Sequence, residues 1–153
     1  MASERVDTVR RACEAWAAGD LATLRALYVA DVRADGGELW PEGSGSVHGV
    51  DAVLGVFEAI MSAFERSELI PEGFLEAGDT MVVPLLWRGR PTGSESFVEQ
   101  RLVGSYAFRG EHIAEIRWFA SLEGALAGLE LPPELAAALV PEPMRGPRHS
   151  DPA

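Results

Sequence analysis

The spacing of apolar residues along this chain changes near residue 68, and that change limits the folds open to it. Before residue 68, apolar residues recur every three or four positions, which is the spacing of amphipathic helices. Over residues 69–120 the period becomes two, which is the spacing of β-strands. A chain of 153 residues has the length of one ordinary domain. The sequence therefore predicts a single α+β domain in which helices precede an antiparallel sheet.

A helical hairpin is predicted at the start of the chain. Residues 3–18 carry one apolar stripe, and Gly19 ends this helix. Asp20 is placed to cap a second helix over residues 21–29, because its side chain can accept hydrogen bonds from the free N–H groups of the first turn. A third amphipathic helix is predicted over residues 51–67.

The remaining elements are predicted from alternation and from turn residues. Strands are expected at 32–35, 69–77, 80–88, 96–108 and 113–120. Two short helices follow, at 121–131 and 133–140. Residues 141–153 are rich in proline and poor in apolar side chains, so we expect one domain over residues 1–140 and a flexible tail over residues 141–153.

The strand at 80–88 is apolar on both sides, so both of its faces need cover. On the face away from the helices, the alternation places Val82, Leu86, Val103 and Phe119. Left uncovered, they would form an apolar patch on the surface of the domain. We therefore expect a homodimer that forms through this convex face of the sheet.

Composition excludes several classes of protein. The net charge of −11 and the absence of a basic stripe argue against a nucleic-acid partner. No apolar run reaches the roughly 18 residues of a membrane span, and the first residues lack a signal-peptide pattern, so we expect a cytoplasmic protein. The single cysteine, Cys13, excludes an internal disulfide and a multi-cysteine metal site. All thirteen basic residues are arginine and asparagine is absent, which indicates a GC-rich bacterial genome.

Three stretches of the sequence carry a resemblance to a known family. They are EAWAAGDLATLRALYVADV at 14–32, VHGVDAVLGVF at 47–57 and FRGEHIAEIRWFASLEGAL at 108–126. Over about residues 4–128 the chain resembles the SnoaL-like and ketosteroid-isomerase-like proteins of the nuclear transport factor 2-like superfamily. The resemblance implies a cone-shaped α+β barrel, with three N-terminal helices on the concave face of a curved antiparallel sheet and short C-terminal helices. It does not imply one function, because isomerases, polyketide cyclases, epoxide hydrolases, dehydratases and noncatalytic binders share this fold.

The chemistry of the isomerase branch is missing from this chain. That branch uses an aspartate base, a tyrosine and a protonated aspartate, and the resemblance places these positions on Gly36, Ala12 and Gly104. The inward positions of the strands also lack the arginine and aspartates of the epoxide hydrolases. Two catalytic candidates remain, Asp35 and His48, and no metal or cofactor is expected.

Each candidate has two interpretations. Asp35 ends the first predicted strand and would be a general base if a shift of one residue turned it into the pocket. Otherwise it is a solvated loop carboxylate. His48 precedes the third helix, where it could transfer protons near neutral pH or fix the loop by a hydrogen bond.

The expected lining of the cone is rich in aromatic side chains. By their periodicities the residues that point inward are Trp16, Tyr28, Met81, Trp87, Gln100, Tyr106 and Trp118, and Trp40 in the loop could close over the mouth. Gln100 would orient a carbonyl group or bind a backbone group. Such a lining fits a small, mainly apolar molecule, but the same side chains could simply fill the cone. Two hypotheses therefore stay open: a cofactor-independent isomerase, cyclase or hydrolase, and a noncatalytic ligand-binding or scaffolding homodimer.

Overall fold

A computed structural model describes residues 4–39 and 45–142. Its elements are α1 (Glu4–Ala18), α2 (Leu21–Leu27), β1 (Tyr28–Asp35), a 3-10 turn (Gly37–Leu39), β2 (Ser46–His48), α3 (Val50–Ser62), β3 (Phe64–Pro71), β4 (Gly73–Ala77), β5 (Thr80–Pro91), β6 (Val98–Arg109), β7 (His112–Phe119), α4 (Leu122–Gly128), a 3-10 helix (Pro133–Ala138) and β8 (Val140–Pro141). The expected α+β architecture, with helices before a long antiparallel meander, is confirmed.

The strands form one curved, eight-stranded sheet that does not close. Its order is β2-β1-β7-β6-β5-β4-β8, and β3 also pairs with β5. Neighbours are antiparallel except β1 and β7, which run parallel. No helix in the described ranges combines the length and the apolar composition that crossing a bilayer requires.

The helical hairpin forms where the sequence predicted it, but its second helix is shorter. Gly19 has a φ of 67°, and the Asp20 carboxylate accepts a hydrogen bond from the Thr23 N–H group at 3.0 Å. The helix ends at Leu27 instead of residue 29, because Tyr28 already pairs with β7 opposite Ile113. The expected strand at 32–35 is thus the end of an eight-residue strand.

The third helix also ends early. It stops at Ser62, and β3 begins at Phe64, inside the range predicted as helix. The predicted strand at 69–77 is divided at Glu72, whose N–H group donates to the Pro84 carbonyl at 2.8 Å. The helix ends early because pairing of β3 with the long strand β5 overrides the helical spacing of residues 63–67.

The convex face of the sheet is covered by the chain's own C-terminal segment. Val82 is 0% exposed and Val103 4%, because α4 and the residues after it pack over them, and Phe119 is half-buried in the same cluster. Leu86 is half-buried. The exposed patch from which a homodimer was predicted therefore does not exist as expected, and the homodimer itself stays a prediction.

The first two residues of the predicted tail contact the rest of the chain. Pro141 is part of β8 and pairs with Gly73 on β4. The Glu142 carboxylate accepts two hydrogen bonds from the Arg10 guanidinium, at 2.9 and 2.6 Å. Pro141 and Glu142 are therefore packed against the domain, whereas the rest of the expected tail, residues 143–153, lies outside the described residues. The boundary between domain and tail stays a prediction.

Candidate functional site

The space between the helices and the concave face of the sheet is where the sequence predicted a ligand. The side chains that meet there are Ala12, Cys13, Trp16, Leu24, Tyr28, Phe57, Leu69, Tyr106, Ile116 and Trp118. The cavity left among them measures about 10 Å³. A cavity of that size holds at most about one water molecule. The described part of the cone is therefore filled by its own side chains.

Three aromatic rings fill the centre of the cone. Phe57 stacks on Trp118, with ring centroids 5.8 Å apart and an interplanar angle of 6°. Trp16 meets both rings edge to face, with centroid distances of 5.1 Å to Phe57 and 5.9 Å to Trp118. Tyr28 extends the cluster, with its ring centroid 6.5 Å from that of Phe57. The rings come from α1, β1, α3 and β7, so they tie the helices to the sheet.

A buried serine joins two of the predicted lining residues. The indole N–H group of Trp16 donates to Ser67 Oγ at 2.9 Å, and that of Trp87 donates to the same oxygen at 3.0 Å. Ser67 is 7% exposed. The helical spacing of the sequence concealed its role, because residue 67 was predicted to lie in the third helix. Once β3 begins at Phe64, the alternation turns Ser67 and Leu69 inward.

Trp87 lies at one end of the filled space. Its ring meets Phe64 edge to face with centroids 4.9 Å apart. A Cβ atom on Gly89 would lie 2.5 Å from Trp87 Cζ2, so only glycine leaves room for this ring position. The ring is thus fixed by Ser67 on one side and by the backbone of β5 on the other.

The titratable groups inside the cone are neutral at neutral pH. Burial raises the pKa of the Cys13 thiol to about 12. It also raises the pKa of the Tyr28 and Tyr106 hydroxyls above the ordinary value. Burial has this effect because it penalises the charged form of each group. Among the residues that line the 10 Å³ cavity, none is a carboxylate, a histidine or an arginine.

The other expected lining residues lie around this centre or away from it. Met81 is 0% exposed and belongs to the same core cluster as Trp87. Gln100 lies opposite Trp87 on the inward face of β6, but its side chain is exposed beyond the covered part of the sheet. Trp40 lies outside the described residues.

Asp35 does not point into the cone. Its neighbour Ala34 is 0% exposed and pairs with Ile116, which lines the cavity, whereas Asp35 pairs with Arg117 and faces the other side of the sheet. The shift of one residue that would turn Asp35 inward does not occur. Its Oδ1 atom instead accepts a hydrogen bond from the Gly37 N–H group at 2.9 Å and holds the turn after β1.

His48 is also outside the cone. It lies on β2, is exposed, and pairs with Arg33. The pairing of β1 with β2 places Asp35 opposite Ser46, two positions from His48 along the strand. The structure therefore brings neither catalytic candidate to the aromatic lining.

Open grooves also lie on the surface of the described part of the chain. One, of about 520 Å³, is lined by the first turns of α1, the end of α2, Glu76 and the turn between β6 and β7. It includes Arg5, which donates to Asp79 Oδ1 at 3.1 Å and to the Gly110 carbonyl at 3.2 Å. Another, of about 340 Å³, includes Asp35 and Arg117. The described residues contain no cluster of three or more carboxylate, histidine or cysteine side chains that could hold a metal ion.

Comparisons with known proteins agree with the fold. The sequence profile of the SnoaL-like domain matches residues 9–116. None of the curated proteins matches the chain. An NTF2-like protein of unknown function from Burkholderia pseudomallei K96243 is 23% identical, with a TM-score of 0.68 over 82% of this chain and 97% of that one.

Two further solved structures are similar. A putative SnoaL-like polyketide cyclase from Jannaschia sp. CCS1 is 20% identical, with a TM-score of 0.65 over 85% of this chain and 94% of that one. A putative polyketide cyclase from Streptomyces antibioticus is 22% identical, with a TM-score of 0.65 over 84% of this chain and 100% of that one. At these identities the likeness shows the fold alone.

Proposed function

Because this chain belongs to the SnoaL-like domain family, whose cone can serve either as a pocket or as a core, we propose that it is a noncatalytic scaffolding domain. In this proposal the cone is a packed core, and the domain acts through its outer surface. The observation that carries it is the contact of Trp16, Phe57 and Trp118 around a cavity of about 10 Å³.

The size of the cavity argues against a resident ligand. Pockets that hold small organic molecules measure roughly 300–1,000 Å³. To make such room here, at least one indole would have to leave the core, and losing a buried aromatic side chain costs about 3 kcal/mol or more. An opening that costs about 3 kcal/mol lowers the apparent affinity of a ligand roughly 100-fold.

The chemistry of the cone supports the same proposal. General acid–base catalysis needs a group whose pKa lies near the working pH. The thiol of Cys13 and the hydroxyls of Tyr28 and Tyr106 keep their protons because burial raises each pKa. An enzyme of the cyclase type would need both an open cone and an ionisable group inside it.

A binding experiment tests this proposal. Naphthalene, a flat and neutral probe, is titrated into the wild-type chain and into Trp16→Ala, with tryptophan fluorescence as the readout. We expect no saturable binding to the wild type and saturable binding to Trp16→Ala, because an apolar cavity that stays dry binds such molecules. Trp16→Leu serves if the alanine variant does not fold.

Phe97→Ala is the matched control. Phe97 is a half-buried aromatic residue outside the cone, with its ring centroid 4.0 Å from the Arg88 guanidinium carbon. This variant should behave as the wild type does. Saturable binding of naphthalene to the wild type and to Phe97→Ala alike would contradict the proposal and favour a ligand-binding cone.

A further inference from the structure

We propose that the C-terminal arm, residues 131–142, is exchangeable between two copies of this chain. Its seat on one copy would then be the docking surface for the arm of a second copy. The seat consists of the convex cluster around Val82 and Val103, the edge of β4, and Arg10. This proposal goes beyond the scaffolding function and rests on contacts that do not involve the cone.

The arm is held by a small number of separable contacts. Leu131, Leu135 and Leu139 are half-buried against the convex cluster. The 3-10 helix of the arm has no fully buried residue, and β8 contributes only Val140 and Pro141 to the sheet. An arm that contributes few buried side chains of its own can open without unfolding the rest of the domain.

The hinge before the arm is strained. Glu130 has a φ of 60° and is the one non-glycine residue with a positive φ in the described ranges. It follows the end of α4, where the Leu131 N–H group donates to the Leu126 carbonyl at 2.8 Å and the Glu130 N–H group to the Ala127 carbonyl at 3.0 Å. This pattern normally has glycine at the position of Glu130, because a Cβ atom disfavours the left-handed conformation. Extending the chain at Glu130 would relieve the strain.

The seat is shaped for the arm. A Cβ atom on Gly73 would lie 3.2 Å from the Val140 carbonyl oxygen and 3.3 Å from Leu139 Cγ, so a bare backbone at Gly73 lets the arm approach β4. At the end of the arm, the Glu142 carboxylate makes a two-point contact with Arg10. The Glu142 N–H group donates to the Glu72 carbonyl at 3.0 Å.

The occupant that fits this seat is the arm of a second copy. If the arm leaves, the cluster of Leu75, Val82 and Val103 loses the part of its cover that Leu131, Leu135 and Leu139 provide, while α4 stays in place, and the edge of β4 loses its partner. The arm of a second copy restores each of these contacts, because it carries the same leucines, the same strand and the same Glu142. The net charge of −11 on each chain opposes their approach, so the dimer should gain from added salt.

Substitutions at the hinge test the proposal by analytical ultracentrifugation of the full chain. Glu130→Gly removes the strain of the closed hinge and should lower the association constant of the dimer by about tenfold. Glu130→Val raises the energy of the left-handed conformation at the hinge and should raise the same association constant. Glu111→Gly, the same change in the turn between β6 and β7, is the control and should leave the constant unchanged.

A charge exchange tests whether the arm itself is shared. Glu142→Arg and Arg10→Glu each place two like charges together within one chain. Mixed, the two variants restore an Arg–Glu pair only when each arm lies on the other chain. Mixing should therefore give at least about tenfold more dimer than either variant alone. A chain that stays monomeric throughout, or a dimer indifferent to the hinge variants and to mixing, would overturn the proposal.

Discussion

The indole rings of Trp16 and Trp118 meet edge to face with centroids 5.9 Å apart, so the helical wall and the sheet wall of the cone touch. In a ligand-binding cone these walls would be separated by the ligand. Here Phe57 occupies the third side of the contact and stacks on Trp118. The consequences of this filled interior can be tested by substitution and by titration.

Replacing Ser67 by Ala should destabilise the domain by about 2 kcal/mol. Ser67 Oγ accepts the indole N–H groups of both Trp16 and Trp87, and the Trp16 donor is buried without access to solvent. A buried donor that loses its acceptor costs about 1–3 kcal/mol. Urea denaturation measures the change in the free energy of unfolding.

A double-mutant cycle separates this hydrogen bond from other effects of the substitution. In a Trp16→Phe background the buried donor is already gone, so Ser67→Ala should cost about 1 kcal/mol less than in the wild type. An equal cost in both backgrounds would mean that the Trp16–Ser67 hydrogen bond contributes nothing measurable.

Two glycine-to-alanine substitutions should change the free energy of unfolding in opposite directions. Gly89→Ala places a methyl group 2.5 Å from Trp87 Cζ2 and should destabilise the domain by about 1–3 kcal/mol, because the ring must leave its position. Gly55→Ala lies within α3 with nothing inside 4 Å of the new methyl group, and should stabilise the domain by roughly 0.5–1 kcal/mol. Thermal or urea denaturation of both variants gives the comparison, and a stabilising Gly89→Ala would show that Trp87 is not fixed.

The stability of the domain should fall above about pH 9. Burial raises the pKa of Cys13 from 9.0 to about 12, and the pKa values of Tyr28 and Tyr106 rise above 10.0. Each group keeps its proton in the folded chain at a pH where the unfolded chain has released it. The contribution of each group to stability is therefore complete at pH values below its pKa in the unfolded chain. It decreases as the pH rises towards the pKa of the same group in the folded chain.

Unfolding midpoints measured across this pH range check the prediction. In Cys13→Ala the decrease should begin later, near pH 10, because only the two tyrosines remain. Identical pH profiles for the wild type and Cys13→Ala would show that the thiol is not buried as described.

Asp35→Asn should leave the free energy of unfolding within about 0.5 kcal/mol of the wild-type value. Its amide oxygen can still accept the hydrogen bond from the Gly37 N–H group. Asp35→Ala should cost about 1 kcal/mol because that acceptor is lost. Denaturation curves distinguish the two, and an asparagine variant as unstable as the alanine variant would mean that the charge of Asp35 matters.

Local sequence signals predicted the turns and hairpins of this fold. Gly19 and Asp20 predicted the hairpin of α1 and α2, and the gap between the strands predicted at 69–77 and 80–88 is the turn between β4 and β5, formed by Gly78 and Asp79. These features depend on backbone conformation and on hydrogen bonds within a few residues, so a single sequence contains them.

Features set by distant pairing were not predictable in the same way. Helical spacing continues through Ser67, yet pairing with β5 makes this segment a strand and turns Ser67 inward. The cover over Val82 and Val103 comes from α4 and the arm, whose apolar residues do not reveal which face they bury. Whether the cone is filled depends on distances between Trp16 and Trp118, and periodicity gives only their direction.

Xenon binding tests the filled cone most directly, because xenon enters apolar cavities without needing a particular ligand chemistry. A crystal of the wild-type protein under xenon pressure should show no xenon atom between Trp16 and Tyr106, since only about 10 Å³ is free there. The Trp16→Ala variant should bind xenon at that place. A well-occupied xenon site in the wild-type cone would contradict a cone filled by its own side chains and would favour a ligand-binding cone.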